Sequence, residues 1–77
     1  MKEILTHILS KIVDNPKDLL VNEEEDQGIV NLTIKVNPVD MGKVIGKEGK
    51  VIKAIRNVMR IPGVLRGKKI YITLAEA

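Results

Sequence analysis

A short segment near the middle of the chain places two glycines and several lysines at a spacing that suits phosphate binding. It reads Gly46-Lys47-Glu48-Gly49-Lys50. Glycine tolerates positive φ and carries no Cβ, so the main-chain N–H groups of such a turn can approach a ligand closely. The residues after Gly49 predict a helix, whose first N–H groups lack partners and whose dipole favours an anion at that end. The segment therefore predicts a backbone grip for phosphate.

Three better-known motifs contain similar residues but fail at this spacing. A Walker A loop needs four residues between its glycines and a hydroxyl after its lysine, whereas three residues separate Gly42 from Gly46 and Glu48 follows Lys47. A dinucleotide fingerprint follows a strand, but this turn lies between two predicted helices. The Gly42 to Gly46 spacing also matches the membrane helix-dimer motif, yet its neighbours are charged. What remains is a GxxG turn, which by itself also fits an ordinary connection between helices.

The charge of the chain is unevenly distributed and favours a polyanionic ligand. The 77 residues carry a formal net charge of +3. Residues 1–42 contain four basic and eight acidic residues, whereas residues 43–69 contain nine basic residues and one acidic residue. Glu76 adds one further negative charge. Because the basic half contains the glycine turn, a polyanion suits it better than a small neutral substrate, although a membrane surface would also fit this charge alone.

Hydrophobic periodicity before the turn predicts one helix and two strands. Apolar residues recur every three or four positions from Ile4 to Val13 and predict a helix that stops before Pro16. An extended segment from Leu19 leads through a hairpin at Asp26-Gln27-Gly28 into a strand that ends before Pro38. Four residues of that second strand share its buried face: Val30, Leu32, Ile34 and Val36.

The second half predicts two helices and a final strand. Asp40 is placed to cap a short helix that reaches Val44, and a longer amphipathic helix follows Gly49 until Pro62-Gly63 ends it. Lys69 to Leu74 alternate as a strand. The predicted fold is α+β in the order α-β-β-α-α-β, with a three-stranded mixed sheet covered on one face by three helices. The second and last strands pair in parallel through a right-handed crossover.

This arrangement resembles a KH domain, a single-stranded nucleic acid binder whose GxxG loop clamps the nucleotide backbone. The element order is similar to that of the type II KH variant. At this length the chain resembles the KhpA family of small bacterial KH proteins, and the resemblance covers residues 1–77 as a single KH domain. The residues that carry it are Asp40-Met41-Gly42-Lys43-Val44-Ile45-Gly46-Lys47-Glu48-Gly49-Lys50, with Ile52, Ile55 and Arg56 downstream.

Residues and resemblance together suggest how the loop would meet RNA. Gly46 and Gly49 would shape it, and Lys47 and Lys50 would meet phosphates. Lys53 and Arg56 would extend the positive track, while Glu48 would slightly weaken the attraction.

Base contacts are expected from the aliphatic neighbours of the loop. By the resemblance, Gly42, Ile45 and Ile52 would line a narrow groove for bases. Core packing is an equally open interpretation of Ile45 and Ile52. Tyr71 is the only aromatic residue, so a stacking platform of the RRM kind cannot be built.

Composition limits the remaining classes of function. The chain has no cysteine and no apolar run long enough to span a membrane, and we expect a cytoplasmic protein without metal or cofactor. An enzyme would need an acid–base pair or nucleophile near the turn, which offers only Glu48 among lysines, so we predict no catalytic residues. Replacing Gly46 and Lys47 by aspartate is expected to abolish RNA binding and leave the fold intact.

Apolar residues near the end of the long helix predict a surface for binding a partner. Ile61, Val64 and Leu65 form a candidate self-association patch, which alternatively covers the end of the helix. The resemblance implies homodimers, pairing with a larger bacterial RNA-binding protein that has its own KH domain, RNA chaperone or post-transcriptional activity, and a link to cell elongation and division. The alternative function is a protein-interaction module on a KH scaffold with little RNA binding of its own.

Overall fold

The computed structural model describes residues 1–75 as three helices and a three-stranded sheet. Short 3-10 turns connect some of these elements. In chain order the helices and strands are α1 (Lys2–Ser10), β1 (Leu20–Asp26), β2 (Ile29–Lys35), α2 (Met41–Ile45), α3 (Lys50–Leu65) and β3 (Lys69–Leu74). This is the predicted order α-β-β-α-α-β.

A tight hairpin joins the first two strands. In the antiparallel ladder Asp26 lies opposite Ile29, which leaves Gln27 and Gly28 as a two-residue loop. Both loop residues have positive φ, 50° and 80°. Positive φ at both central positions is the geometry of a type I′ turn, whose twist matches that of the flanking strands. The predicted hairpin is therefore confirmed.

The sheet has the order β1-β2-β3 and mixes the two kinds of pairing. β2 pairs antiparallel with β1 and parallel with β3, where Val30 lies opposite Ile70 and Leu32 lies opposite Ile72. A parallel pair needs a long crossover, which here consists of α2, the glycine loop and α3. β3 consequently forms one edge of the sheet and lies beside the helix that follows the loop.

One face of the sheet and the inner sides of the helices form a single core. Alternate residues of β2 are buried, whereas their neighbours point to the other face. Leu5 and Leu9 of α1 and Ile55 and Met59 of α3 are buried against this face. The alternation of β2 and the helical spacing of α1 and α3 bury most of the predicted apolar residues in one core, and the predicted α+β class is confirmed.

The first helix is shorter than its apolar pattern predicts. α1 ends at Ser10, and Ile12 and Val13 lie in the turn that follows, where both of their N–H groups donate to the Leu9 carbonyl. Val13 still reaches the core. Ile4 was expected on the buried stripe but is 39% exposed. Leu5 and Leu9, four residues apart, form the line that faces the sheet, and Ile4 lies about 100° around the helix from it.

The prediction that Pro62-Gly63 ends the long helix was wrong. α3 continues to Leu65 and ends in a Schellman motif, in which Lys68 N–H donates to the Gly63 carbonyl (2.8 Å) and Gly67 has φ +66°. Gly63 instead permits close packing, because a Cβ there would lie 2.9 Å from the side chain of Ile70. The helix accepts Pro62 one turn before its end, where one intrahelical hydrogen bond is lost.

Candidate nucleic-acid interface

Gly46 ends α2 with a backbone conformation that only glycine readily adopts. Its φ is 76° and its ψ is 172°, and its N–H donates to the Gly42 carbonyl at 2.8 Å. A Cβ at this position would lie 2.3 Å from Cγ2 of Val51 and 2.8 Å from its backbone nitrogen. Both the dihedral angles and the close approach of the next helix therefore require glycine here.

The other half of the loop is also left-handed. Glu48 has φ 58° and Gly49 has φ 75°, and the Gly49 N–H donates to the Gly46 carbonyl at 3.1 Å. A Cβ at Gly49 would meet nothing closer than Ile52 at 4.0 Å, so only the dihedral angle favours glycine there. Gly46, Glu48 and Gly49 thus all have positive φ, and α3 begins directly after the loop at Lys50.

Three lysines of the predicted site are exposed on the loop and on the first turns of α3. Lys47, Lys50 and Lys53 have no salt bridge to a carboxylate within residues 1–75. Glu48 is also exposed and is the acid nearest to them in sequence. Free ammonium groups beside the N-terminus of α3, whose dipole favours negative charge, make this end of the helix suitable for a phosphate.

Lys43 differs from these three lysines because its ammonium group already forms an ion pair with a carboxylate. Its ammonium group donates to the Asp14 carboxylate across the junction between α2 and the end of α1. This hydrogen bond, with the charges of Asp14 and Asp40, raises the pKa of Lys43 above its ordinary value. We therefore leave Lys43 out of the phosphate site.

The proposed aliphatic groove is only partly exposed. Gly42 is exposed and Ile45 is 38% exposed, whereas Ile52 is 8% exposed and belongs to the core. Ile52 was expected either to line the groove for bases or to pack in the core, and the structure shows its side chain in the core. Ile45 and Gly42 are the neighbours of the loop that a base could contact.

A cavity of about 580 Å³ between α3 and β3 enlarges the basic region. From α3 it is lined by Arg56, Arg60 and Val64, and from the other side by residues 68–72. The Arg56 guanidinium donates to the Ile72 carbonyl at 3.4 Å, so this side chain lies over the outer edge of β3.

Sequence reasoning missed part of this cavity, namely Arg60, Lys69 and Tyr71. The spacing of Lys53, Arg56 and Arg60 could have indicated a common side of α3. Nothing in the sequence indicated that β3 would lie opposite that side. Lys68 also lines the cavity, but its ammonium group is bound by Glu25 at 2.7 Å.

A separate apolar stripe runs along the outer side of α3. Its members follow each other at intervals of four, three and four residues, and all are exposed: Ala54, Val58, Ile61 and Leu65. At its start it borders a groove between α1 and α3 that Ile8 and Ile12 also line. The predicted self-association patch is exposed, but Ile61 and Leu65 lie on this stripe, whereas Val64 faces the basic cavity.

Asp40 does not cap α2 through its side chain, contrary to the prediction. It precedes the helix with an αR backbone conformation, and its carboxylate makes no cap hydrogen bond. The carboxylate instead accepts hydrogen bonds from the N–H groups of Asp14 (3.2 Å) and Asn15 (2.9 Å) and from Asn15 Nδ2 (3.2 Å). The residue is 1% exposed, so the acid is buried but fully hydrogen-bonded.

The expectation that aspartate at Gly46 and Lys47 leaves the fold intact also needs correction. The loop is on the surface, but Gly46 packs against Val51 and has positive φ. Any side chain at Gly46 would displace the start of α3. A test of the phosphate site therefore has to change the lysines and leave Gly46 in place.

Other kinds of site are not found in the part of the chain that the structure describes. Residues 1–75 contain no group of three or more histidine, cysteine, aspartate or glutamate side chains that could hold a metal ion. Within the same residues, no helix is both long and apolar enough to cross a membrane.

Comparison with known proteins agrees with this geometry. Residues 2–74 match the family model described as KhpA/KhpB, KH domain. A protein of Clostridium perfringens named RNA-binding protein KhpA is 42% identical over 74 residues, which cover 96% of this chain and 99% of that protein. The Bacillus subtilis protein of the same name is 39% identical over 76 residues, covering 99% of this chain and 94% of that protein.

A relative of lower identity matches over the same length. The RNA-binding protein KhpA of Halalkalibacterium halodurans is 34% identical over 76 residues, covering 99% of this chain and all of that protein. The family is a non-enzymatic KH family, which agrees with the predicted absence of catalysis. The chain belongs to the KhpA/KhpB family of KH-domain proteins.

Proposed function

We propose that this protein binds single-stranded RNA and grips its sugar-phosphate backbone with the GxxG loop. The observation that carries the proposal is the built loop, in which Gly46 can only be glycine and the exposed Lys47 and Lys50 flank the start of α3. Backbone N–H groups and free lysines there suit consecutive phosphates. The relatives named RNA-binding proteins support the same ligand.

The cavity between α3 and β3 gives the RNA a path beyond the loop. Lys53, Arg56 and Arg60 follow one another along one side of α3 and lead from the loop to the cavity. We propose that phosphates follow these cations while bases lie against Ile45 and Gly42. Base preference would come from these two residues, since phosphate contacts carry no direct sequence information.

Titration with a short fluorescent single-stranded RNA at several salt concentrations tests this proposal. If three or four phosphates are neutralised, the slope of log K against log salt is roughly −2 to −3. Binding that is absent even at low salt would contradict RNA recognition. It would favour the alternative, a protein-interaction module on a KH scaffold.

A partner surface is a second part of the proposed function. The exposed stripe of Ala54, Val58, Ile61 and Leu65 has the spacing of a helix-packing seam. We propose that it pairs with the same stripe of a second copy, or with the KH domain of a larger RNA-binding protein. The centre of the stripe lies about 140° around α3 from Lys53, Arg56 and Arg60, so both surfaces can be occupied together.

Pairing would give a small module useful affinity. One such domain contacts few nucleotides, whereas two linked domains gain avidity on a longer RNA. We therefore propose an RNA chaperone or post-transcriptional regulator that acts with a partner KH protein in the bacterial cytoplasm.

A further inference from the structure

Asp40 is a buried charged residue that the proposed RNA contacts do not use. It lies between β2 and α2, yet both of its carboxylate oxygens are bound by Asp14 and Asn15, which belong to the connection after α1. Burial alone would raise the pKa of Asp40, but these hydrogen bonds and the nearby Lys43 charge hold the pKa below its ordinary value. The carboxylate is therefore ionised at neutral pH and bound in place.

The helix that follows Asp40 is too short to fix its own position. α2 has five residues, and Val44 is the only one that is buried. A single helical turn is unstable by itself and depends on tertiary contacts. The two ends of α2 supply such contacts, since Asp40 binds the connection after α1 and Gly46 packs against Val51. The ion pair between Asp14 and Lys43 is a second contact between α2 and the connection after α1.

We propose that Asp40 is a positioning residue for RNA binding, which fixes α2 and thereby the GxxG loop by anchoring them to the connection after α1. This inference rests on the proposed RNA-binding function. Asp40 itself touches no RNA. It acts because phosphate recognition requires the loop N–H groups and lysines to be held in place before the ligand arrives.

Long-range electrostatics and positioning predict opposite changes in RNA affinity for Asp40→Asn. Whether the variant binds RNA more tightly or more weakly therefore distinguishes them. Asp40→Asn removes a negative charge near the basic region, and longer-range attraction would then tighten RNA binding. Positioning predicts weaker binding, since the amide that replaces the carboxylate lacks its charge and one of its two acceptor oxygens. We expect roughly tenfold weaker RNA binding, the size of effect that follows from disrupting a buried hydrogen-bonded charge.

Two further variants make the comparison sharper. Asn15→Ala removes only the Nδ2 donor and leaves every charge unchanged, and we expect roughly threefold weaker binding. Asp26→Asn makes the same chemical change as Asp40→Asn at an exposed position at the end of β1. This control should bind RNA as tightly as the original chain or slightly more tightly. All three are titrated with the same fluorescent single-stranded RNA at low salt.

Backbone amide NMR without RNA provides a readout that a general loss of stability would not give. In folded Asp40→Asn, the amide signals of residues 46–49 should shift while those of β1 and β2 stay in place. Unchanged loop signals together with equal or tighter RNA binding would overturn the proposal. If Asp40→Asn does not fold, unchanged affinity and loop signals in Asn15→Ala would overturn it. If the original chain binds no RNA, the proposed function fails, while the amide spectra still decide whether Asp40 holds the loop.

Discussion

At the residue scale, the loop depends on positions that look alike in the sequence but differ in what surrounds them. Gly42 and Gly46 are both glycines at the ends of a short helix. A Cβ at Gly42 would meet no atom within 4 Å, whereas a Cβ at Gly46 would overlap Val51. The first glycine therefore leaves room for a ligand or a side chain, and the second is required by the fold.

Gly46→Ala should destabilise the protein strongly. The methyl group would have to move Val51 at the start of α3, and alanine would have to adopt φ +76°. Backbone strain and overpacking together cost at least about 2 kcal/mol. Urea unfolding followed by circular dichroism measures this loss in the free energy of unfolding.

The matched control is Gly42→Ala. This change adds a methyl group in open space within α2, and it should leave stability unchanged or raise it by about 0.5 kcal/mol. Equal losses in the two variants would show that packing against Val51 does not determine the shape of the loop.

Sequence patterns predicted the loop residues better than they predicted burial. The spacing of Gly46 and Gly49 predicted where the chain would adopt positive φ, because glycine readily adopts that conformation wherever it stands. The depth of Ile52, the exposure of Ile4 and the partners of Asp40 depend on elements far away in the chain. Local spacing contains no information about those partners, so the predicted cap at Asp40 was wrong.

At the element scale, α3 connects the core with both proposed surfaces because each of its sides has a different role. One side is buried with Ile55 and Met59, the second carries Lys53 and Arg60, and the third exposes the apolar stripe. Periodicity predicted an amphipathic helix, but it did not separate the buried Ile55 and Met59 from the exposed Ala54 and Val58. It did not predict the length, because Pro62 normally signals a helix end and only the Schellman motif at Gly67 shows where this helix stops.

Val58→Asp should prevent pairing through the stripe. Val58 is half-exposed at the middle of it, and an aspartate there would be buried without a partner in a dimer. Burying an unpaired charge should weaken dimerisation by roughly 100-fold or more. Analytical ultracentrifugation over a range of protein concentrations measures the change.

Asn31→Asp is the control for this experiment. It adds the same charge at an exposed position of β2, on the helix-free face of the sheet and away from α3, and should remain as dimeric as the original chain. A Val58→Asp protein that stays dimeric, or an original chain that is monomeric at every concentration, would contradict the assignment of the stripe.

At the scale of the whole molecule, the fold brings the basic half of the chain together on one side of α3 and along β3. The order of elements and the parallel pairing of β2 with β3 could be predicted, since both follow from periodicity and from the rules of connection. The basic cavity could not, because it forms only when the edge of β3 lies beside α3. The ion pairs of Lys43 and Lys68 also reduce the number of cations available to RNA below the sequence count.

The most direct test of the central claim compares two double variants in titrations with single-stranded RNA across a range of salt. Lys47→Ala/Lys50→Ala removes the cations of the loop, and Lys2→Ala/Lys35→Ala removes the same charge from α1 and from the helix-free face of the sheet. We predict that the loop variant loses most of its affinity and that its salt slope falls by roughly 1 to 1.5, while the control changes little. Equal losses in the two variants would show that RNA responds to net charge alone, and would contradict a grip by the GxxG loop.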